Sequence, residues 1–571
     1  MIHSRKALSK QTLDTLSYYG YEACVPQQIY SFDGEPVFRA DLDIQGLRVG
    51  LRLHFQYGDA DYPLAYIENW QSSPSLRQAL GHHHVDSEGK FCVIDKSRVW
   101  WDSANAAGFT ASLCEKIQDL LLDKTQGRVD DESFIFDFSG YWDYTSRLHV
   151  ECELQNLQPY IVEAAKITPS GNNLLWVSAF KPASEVQSIT PNALCVHLSN
   201  PSVPDGNTAW PPHDVKELFH WLAACDRNVT ENIFQALRQH LFPKGTHKRT
   251  TVSSTIYCLF TSGQEPKRLL GCVEIVLQPL VVSAIREGRE KRALPILLAN
   301  NPDIKRGKLI RADPSYIQTR NSNTLGGALK DKKVLLLGAG AIGGYAAKIL
   351  SSHGAGWGTR GKFTICDNDK FSVENISRHL LGAAQIGEEK AEALANRVRS
   401  DTPHLNVVAV TSIFADAYDS LSGFDLVVDA TGSSTVGIQL ARMRPLTENP
   451  PAVIHSWIYG QGIAVQSLIH TSTSGGCYRC LWHGEGYEET FAIARGEDDE
   501  NLISEGCDQS FYPYLATASM AAASLLGEQL HDHLEGREQP NFRVKILRED
   551  RCQNRSSTQL KQKKRCPVCA H

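Results

Sequence analysis

The chain has 571 residues and a mass of 63.3 kDa, enough for roughly two to four domains at ~150 residues each. Hydrophobic residues make up 42% and charged residues 21%, near the globular average, which excludes a disordered or collagen-like chain. With 58 Lys+Arg against 64 Asp+Glu the net charge is −6, so no bulk positive field exists to hold nucleic acid or a membrane surface.

Residues 1–16 carry no apolar core of the signal-peptide kind. The longest apolar stretch, residues 269–285, is interrupted by Glu274 and Pro279 and is too short to cross a bilayer. A cytoplasmic protein without membrane contact or direct nucleic-acid binding is expected. Residues 1–146 form a first region. They open with a helical pattern and continue with strand-like runs at 37–42 and 47–55, where Leu51, Leu53 and Phe55 alternate as on a sheet with one buried face. A segment around Cys92 follows, and then a helix over 111–122 with Leu113, Ile117, Leu120 and Leu121 on one stripe. Residues 147–310 mix strands (174–180, 255–260, 271–277) with a helix at 215–224. They show no catalytic constellation and read as a mixed α/β linker or docking domain.

Residues 311–571 are the most legible. A buried strand at 333–337 runs into Gly338-Ala-Gly340-Ala-Ile-Gly343-Gly344, a helix follows, and a second strand ends at Asp367. This is a βαβ unit. Gly338 permits the turn, Gly340 lets backbone approach a phosphate, and Gly343 lets helix and strand pack. Free amides at the helix N-terminus would face the anion. Alone the turn would suit a nicotinamide dinucleotide oxidoreductase. Asp367 and Asp369 at a strand end, then Asn375, Arg378 and Lys390, suit a triphosphate better. Asp429, at the end of a strand over 426–429, is a candidate Mg²⁺ ligand, since Mg²⁺ takes one or two carboxylates plus phosphate oxygens.

Fifteen cysteines are too sparse for a disulfide scaffold. Cys195, Cys258, Cys272 and Cys366 sit in apolar runs and read as small core hydrophobes. Cys477-x-x-Cys480 and Cys566-x-x-Cys569 together give a Cys₄ set for structural Zn²⁺. Between the pairs, a Gly/Glu/Asp-rich stretch ends at Cys507, just before a small-residue helix whose dipole would favour the thiolate.

The string from Ala328 to Gly344, with Asp367-x-Asp369, Asn375-Ile-Ser-Arg378-His379, Gly387-Glu-Glu-Lys390 and Val428-Asp429-Ala-Thr, resembles the ThiF/MoeB/ubiquitin-activating (E1) superfamily. The resemblance implies ATP-dependent adenylation of a protein C-terminal carboxylate. Asp367 would serve the ribose, Arg378 and Lys390 the phosphates, Asp429 the Mg²⁺, and Cys507 would be the acyl acceptor. It also implies a homodimer through the adenylation domain. The family's arginine before the first strand has only Arg311 and Arg320 as candidates, neither in the usual motif.

The first region resembles the ubiquitin-conjugating (E2) fold through Tyr62-Pro63, His82-His-His-Val-Asp-Ser-Glu-Gly-Lys-Phe-Cys92 and Trp100. His82 stands ten residues before Cys92 and Trp100 eight after it, as in that family. His84 replaces the family's oxyanion asparagine, and a histidine can still donate a hydrogen bond. A metal site on the 82–84 run and a catalytically dead adaptor are the other readings.

The expected fold is thus multidomain α/β: an N-terminal α+β conjugating-like fold, a linker, and a C-terminal Rossmann-like adenylation domain with a Cys₄ zinc site. This order resembles the bacterial E1–E2 fusion proteins of CBASS anti-phage operons. The resemblance implies ATP, Mg²⁺ and Zn²⁺ as cofactors. It implies as partners a protein with an accessible C-terminus, of the cGAS/DncV-like nucleotidyltransferase kind, and targets with acceptor lysines. The same chemistry on a ubiquitin-like or sulfur-carrier protein, and a non-catalytic docking module, remain alternatives.

Overall fold

The computed structural model describes residues 8–24, 35–96, 98–128, 138, 140, 142, 146–150, 160–167, 174–177, 192–198, 201, 210–241, 255–262, 268–287, 289–320, 325–414, 421–471, 475–483, 488–489, 491, 493–494, 503–504, 510–537, 540–553 and 555–569. The chain divides into two compact units, Met1–Asp313 and Pro314–His571, where the sequence suggested three regions.

The first unit contains two separate cores. In the first, α1 (Lys10–Tyr18) is capped by Ser9, whose hydroxyl accepts from the Thr12 amide. An antiparallel sheet follows in the order β1 (Glu22–Ala23), β2 (Val37–Ile44), β3 (Leu47–His54), β4 (Leu64–Ile67) and β5 (Lys90–Phe91), with α2 (Pro74–Leu80) between the last two. Val49, Leu51 and Leu53 alternate inward along β3, the period-2 pattern of a half-buried strand. They meet Leu113, Cys114, Ile117 and Leu121 of α3 (Ala106–Thr125) in one cluster.

The second core is a closed barrel, which periodicity did not reveal. Its strands are β6 (Ser146–Val150), β7 (Tyr160–Ile167), β8 (Leu174–Val177), β9 (Asn192–Leu198), β10 (Thr255–Ser262), β11 (Arg268–Val276) and β12 (Lys305–Arg311). They close in the order β10-β11-β12-β6-β8-β7-β9. Between β9 and β12 the chain forms α4 (Val215–Cys225), α5 (Val229–Leu241), α6 (Pro279–Arg286) and α7 (Glu290–Asn300). In the core Trp142, Trp210 and Trp221 pack with tilted rings, and Trp221 meets Phe260 edge to face. Strand β12 runs parallel to β6, with Arg311 opposite Val150. The barrel thus takes in residues on both sides of the expected 146/147 and 310/311 boundaries. Cys195, Cys258, Cys272 and Cys366 are all buried, as expected of core hydrophobes.

In the second unit α8 (Pro314–Thr319) leads to β13 (Lys333–Leu337), α9 (Ala341–Ser352), β14 (Lys362–Cys366), α10 (Lys390–Asp401), β15 (Val407–Val410) and β16 (Leu426–Asp429). Then come α11 (Ser434–Met443), β17 (Ala452–Tyr459), β18 (Ala464–His470), α12 (Ala516–Leu534) and β19 (Phe542–Ile546). The sheet order is β15-β14-β13-β16-β17-β18-β19. The first five strands are parallel and the last two antiparallel. The parallel strands are buried on both faces, so they read as unbroken apolar runs. The order reverses between β13 and β16, and ligands of such sheets bind at that switch point, beyond the strands' C-terminal ends.

Candidate nucleotide site, cysteine cluster and conjugating centre

The glycines after β13 build the turn, each for its own reason. Gly338 has φ +87°, and a Cβ there would lie 3.0 Å from the Ala430–Thr431 backbone. A Cβ on Gly343 would lie 1.8 Å from the Gly338 carbonyl oxygen. Gly340 caps the N-terminus of α9 and has nothing within 4 Å of a built Cβ. The turn is therefore closed on the protein side and open toward a cavity of about 490 Å³, with helix amides at its edge. Gly338, Gly340, Asp367, Asp369, Asn375, Arg378 and Lys390 line that cavity.

Asp367 holds the turn from below. One carboxylate oxygen accepts from the Ala339 amide at 2.6 Å and the other from the Asp369 amide at 2.8 Å; burial raises its pKa. Lys390 pairs with Asp369 at 2.8 Å, and the Asn375 carboxamide oxygen accepts from the Ser372 amide at 3.1 Å. The Arg378 guanidinium lies 5.4 Å from the Tyr514 ring centroid, within cation–π range. His379 also lines the cavity. Its Nδ1 accepts from the Leu381 amide at 3.0 Å and its Nε2 donates to the Ala339 carbonyl at 2.7 Å. That is a neutral tautomer, and burial lowers its pKa. A guanidinium, an ammonium and free helix amides around one cavity suit a polyphosphate.

Asp429 is placed otherwise than expected. It does not line the cavity and is 3% exposed. One carboxylate oxygen accepts from His455 Nδ1 at 2.8 Å; the other accepts from the Thr431 amide at 3.1 Å and its hydroxyl at 2.7 Å. The carboxylate turns into the sheet because a histidine stands beside it on the next strand. Neither candidate arginine lines the cavity. Arg311 pairs with buried Asp313 at 2.8 Å, and Arg320 lies over Tyr316. Thr431, Gly432, Ser433 and Tyr514 do line it; sequence reasoning missed them because none belongs to the glycine motif.

Cys477, Cys480, Cys566 and Cys569 converge, with all four Sγ atoms within 4.8 Å of one another. The sulfurs lie 3.9 Å (Cys477–Cys480), 3.7 Å (Cys477–Cys566) and 3.5 Å (Cys480–Cys569) apart. A disulfide would need ~2.05 Å. A tetrahedron of sulfurs with ~2.3 Å bonds to a central ion has edges of ~3.8 Å, so the set fits Zn²⁺ closed on all sides.

In the first unit Cys92 is exposed, and its amide donates to the His84 carbonyl at 2.7 Å. His84 has φ +57°, a left-handed conformation that is strained for a residue with a Cβ. His82 is buried edge-on against Trp70. The 82–84 run forms no metal-type group among the described residues. Trp100 is exposed, and its carbonyl accepts from the Tyr62 hydroxyl at 3.1 Å. Cys507 lies outside the described residues.

Lys124, at the end of α3, is 5% exposed and donates to the carbonyls of His83 and Gly81. Burial lowers its pKa from 10.5 to about 7. Below that value both folded and unfolded chains carry the proton, and the cost of the buried charge is fully present. Between about 7 and 10.5 the unfolded chain binds more protons, so this group makes stability rise with pH. Calorimetric melts of the full chain between pH 7 and 9 should show wild type gaining on Lys124→Met as pH rises; parallel curves would remove Lys124 from that role.

What the sheet, the turn and the sulfur cluster define is a nucleotide domain of the activating-enzyme class, on a chain whose first unit displays an exposed cysteine. Residues 322–569 match the model of the ThiF family. The ATP-dependent ubiquitin transferase-like protein Cap2 of Pseudomonas aeruginosa (strain BWHPSA011 / Pa011) is 26% identical over 532 residues, covering 89% of this chain and 90% of that protein. The protein of the same name from Vibrio cholerae serotype O1 is 25% identical over 545 residues, 89% of each. The molybdopterin-synthase adenylyltransferase of Escherichia coli (strain K12) is 32% identical over 158 residues, 27% of this chain and 60% of that protein. With likeness to the transferase-like proteins along most of its length and a ThiF domain at its C-terminal end, the chain is an E1/E2-like conjugation protein. Among the described residues no helix is long and apolar enough to cross a membrane.

Proposed function

We propose that the chain uses ATP to activate the C-terminal carboxylate of a partner protein and ligates it to target amines. A carboxylate oxygen attacks the α-phosphorus of ATP at the Gly338 turn, and pyrophosphate leaves. The Cys507 thiolate attacks the acyl carbon, and AMP leaves. Cys92 takes the acyl group by thioester exchange, freeing Cys507. A lysine amine then attacks, forming an amide and releasing the Cys92 thiol. The first step lends the carboxylate a good leaving group; direct amide formation would have to expel hydroxide.

The observation that carries this reading is the convergence of Arg378, Lys390, Asp367 and the open Gly340 amides on one cavity. Mg²⁺, when bound with the nucleotide, neutralises phosphate charge. The lining carboxylate of Asp369 fits it better than the inward-turned Asp429. Tyr514, which lines the cavity, follows Cys507 closely in the sequence, and this supports Cys507 as the acceptor. Adenylation through a homodimer, a cGAS/DncV-like nucleotidyltransferase as partner and a role in anti-phage defence extend the reading through likeness to the CBASS fusion proteins.

Intact-mass analysis with ATP and a candidate partner should show a partner-sized adduct. Lys390→Ala should cut ATP–pyrophosphate exchange by ~100-fold or more, the usual loss for one donor aimed at developing charge. Exchange near wild-type rates in that variant would sink the assignment of the cavity.

A further inference from the structure

The buried pair that displaced Asp429 from the phosphates has its own geometry. Asp429 and His455 stand opposite each other on parallel strands β16 and β17. His455 Nδ1 donates to one Asp429 oxygen at 2.8 Å. The other Asp429 oxygen holds the Thr431 amide and hydroxyl, and Thr431 Oγ1 accepts from the Ser433 amide at 3.1 Å. Ser433 in turn caps α11 by accepting from the Val436 amide. Thr431, Gly432 and Ser433 form one wall of the cavity. The Ala430–Thr431 backbone is also the surface against which the Gly338 turn closes, at 3.0 Å from a built Cβ.

Behind the pair, the Tyr478 ring lies 4.6 Å from the His455 ring, centroid to centroid. Tyr478 sits between Cys477 and Cys480 in the cysteine knuckle. A Cβ on Gly437 of α11 would strike the same ring at 2.4 Å. His455 is 1% exposed, and its Nε2 is buried with no hydrogen-bond partner among the described residues. Burying a carboxylate against an imidazole with one nitrogen unsatisfied costs stability, and an apolar pair would pack there more cheaply. The geometry gives that cost a use: among the described residues, the polar groups that the pair reaches on the cavity side are those of the 431–433 wall.

We propose that His455 is a positioning residue for the nucleotide cavity: through Asp429 it fixes the Thr431–Gly432–Ser433 wall against the Gly338 turn, with Tyr478 of the cysteine knuckle holding the imidazole from behind. The inference rests on the reading of this cavity as the ATP site. His455 does not line the cavity, so its loss acts through the wall on ground-state nucleotide binding, and its signature is a raised KM for ATP with kcat less affected.

The test is ATP titration calorimetry, with ATP–pyrophosphate exchange kinetics, on the full chain. His455→Leu removes the donor and should weaken ATP binding by ~10- to 100-fold, the range for a buried hydrogen bond to a charged group. His455→Asn keeps an N–H donor near Nδ1 and should hold affinity within a few-fold, a rescue that simple filling of space would not give. Zinc content and melting temperature report the fold. Should His455→Leu misfold, Thr431→Val breaks the same chain at its cavity end and should weaken ATP binding similarly. Wild-type affinity in folded His455→Leu or in Thr431→Val overturns the inference alone. Failure of the wild type to bind ATP overturns the reading of the cavity, and the inference with it.

Discussion

Replacing Cys92 with alanine should abolish the amide product while leaving ATP–pyrophosphate exchange intact, with the partner trapped on Cys507. Cys92 is exposed and belongs to the first unit, whereas the nucleotide cavity is built wholly from residues of the second. Its loss therefore leaves the adenylating apparatus unaltered. The trapped species should be released by reducing agent, because thiols exchange with thioesters and not with amides. Cys507→Ala should stop one step earlier, forming adenylate but no thioester at either cysteine. Non-reducing gels of both variants with ATP and partner separate the two orders. A thiol-sensitive adduct present in Cys507→Ala and absent in Cys92→Ala would mean that Cys92 is charged directly from the adenylate.

The parts of this site that the sequence makes legible are those built by neighbours in the chain. Gly338, Gly340 and Gly343 lie within one turn, and a buried strand before them and a helix after them leave few other conformations. Asp367 follows the next strand and does reach the turn, through the Ala339 amide. The two Cys-x-x-Cys pairs are each local, and only their meeting is long-range. Asp429 shows where such reasoning stops. A carboxylate at a strand's end can face a ligand or the next strand, and the register that sets His455 beside it arises from pairing across the sheet. Lys124 and its carbonyl partners at Gly81 and His83 are likewise joined only by the fold. The barrel was illegible for the same reason. Strand β12 pairs with β6 from the far end of the unit, and nothing in either heptapeptide-scale pattern announces closure. His84, where the chain departs from the conjugating-family signature, has a left-handed backbone whose carbonyl holds the Cys92 amide, a contact that the side chain's identity does not announce.

Cys477→Ser should release about one equivalent of zinc and lower the melting temperature of the second unit, with ATP affinity falling as well. Cys477 is fully buried in a cluster with Leu468, Tyr478, Phe542, Leu560 and Val568. The cluster gathers the edge strand β19, the 478–481 turn and the 566–569 segment. A structural zinc site contributes folding energy outright, so its loss should loosen these segments first. The parallel sheet keeps its own large core around Leu336, Phe363 and Ile454, so global unfolding is not expected. The fall in ATP affinity follows from Tyr478, whose ring is fixed between two ligand cysteines and backs His455. Cys552→Ser is the control. Cys552 is equally buried, its thiol donates to the Ile463 carbonyl, and it is not in the cluster, so zinc should be retained. Elemental analysis and melts of the three proteins decide it: wild type without zinc, or Cys477→Ser with a full equivalent, would mean that the four sulfurs hold no ion.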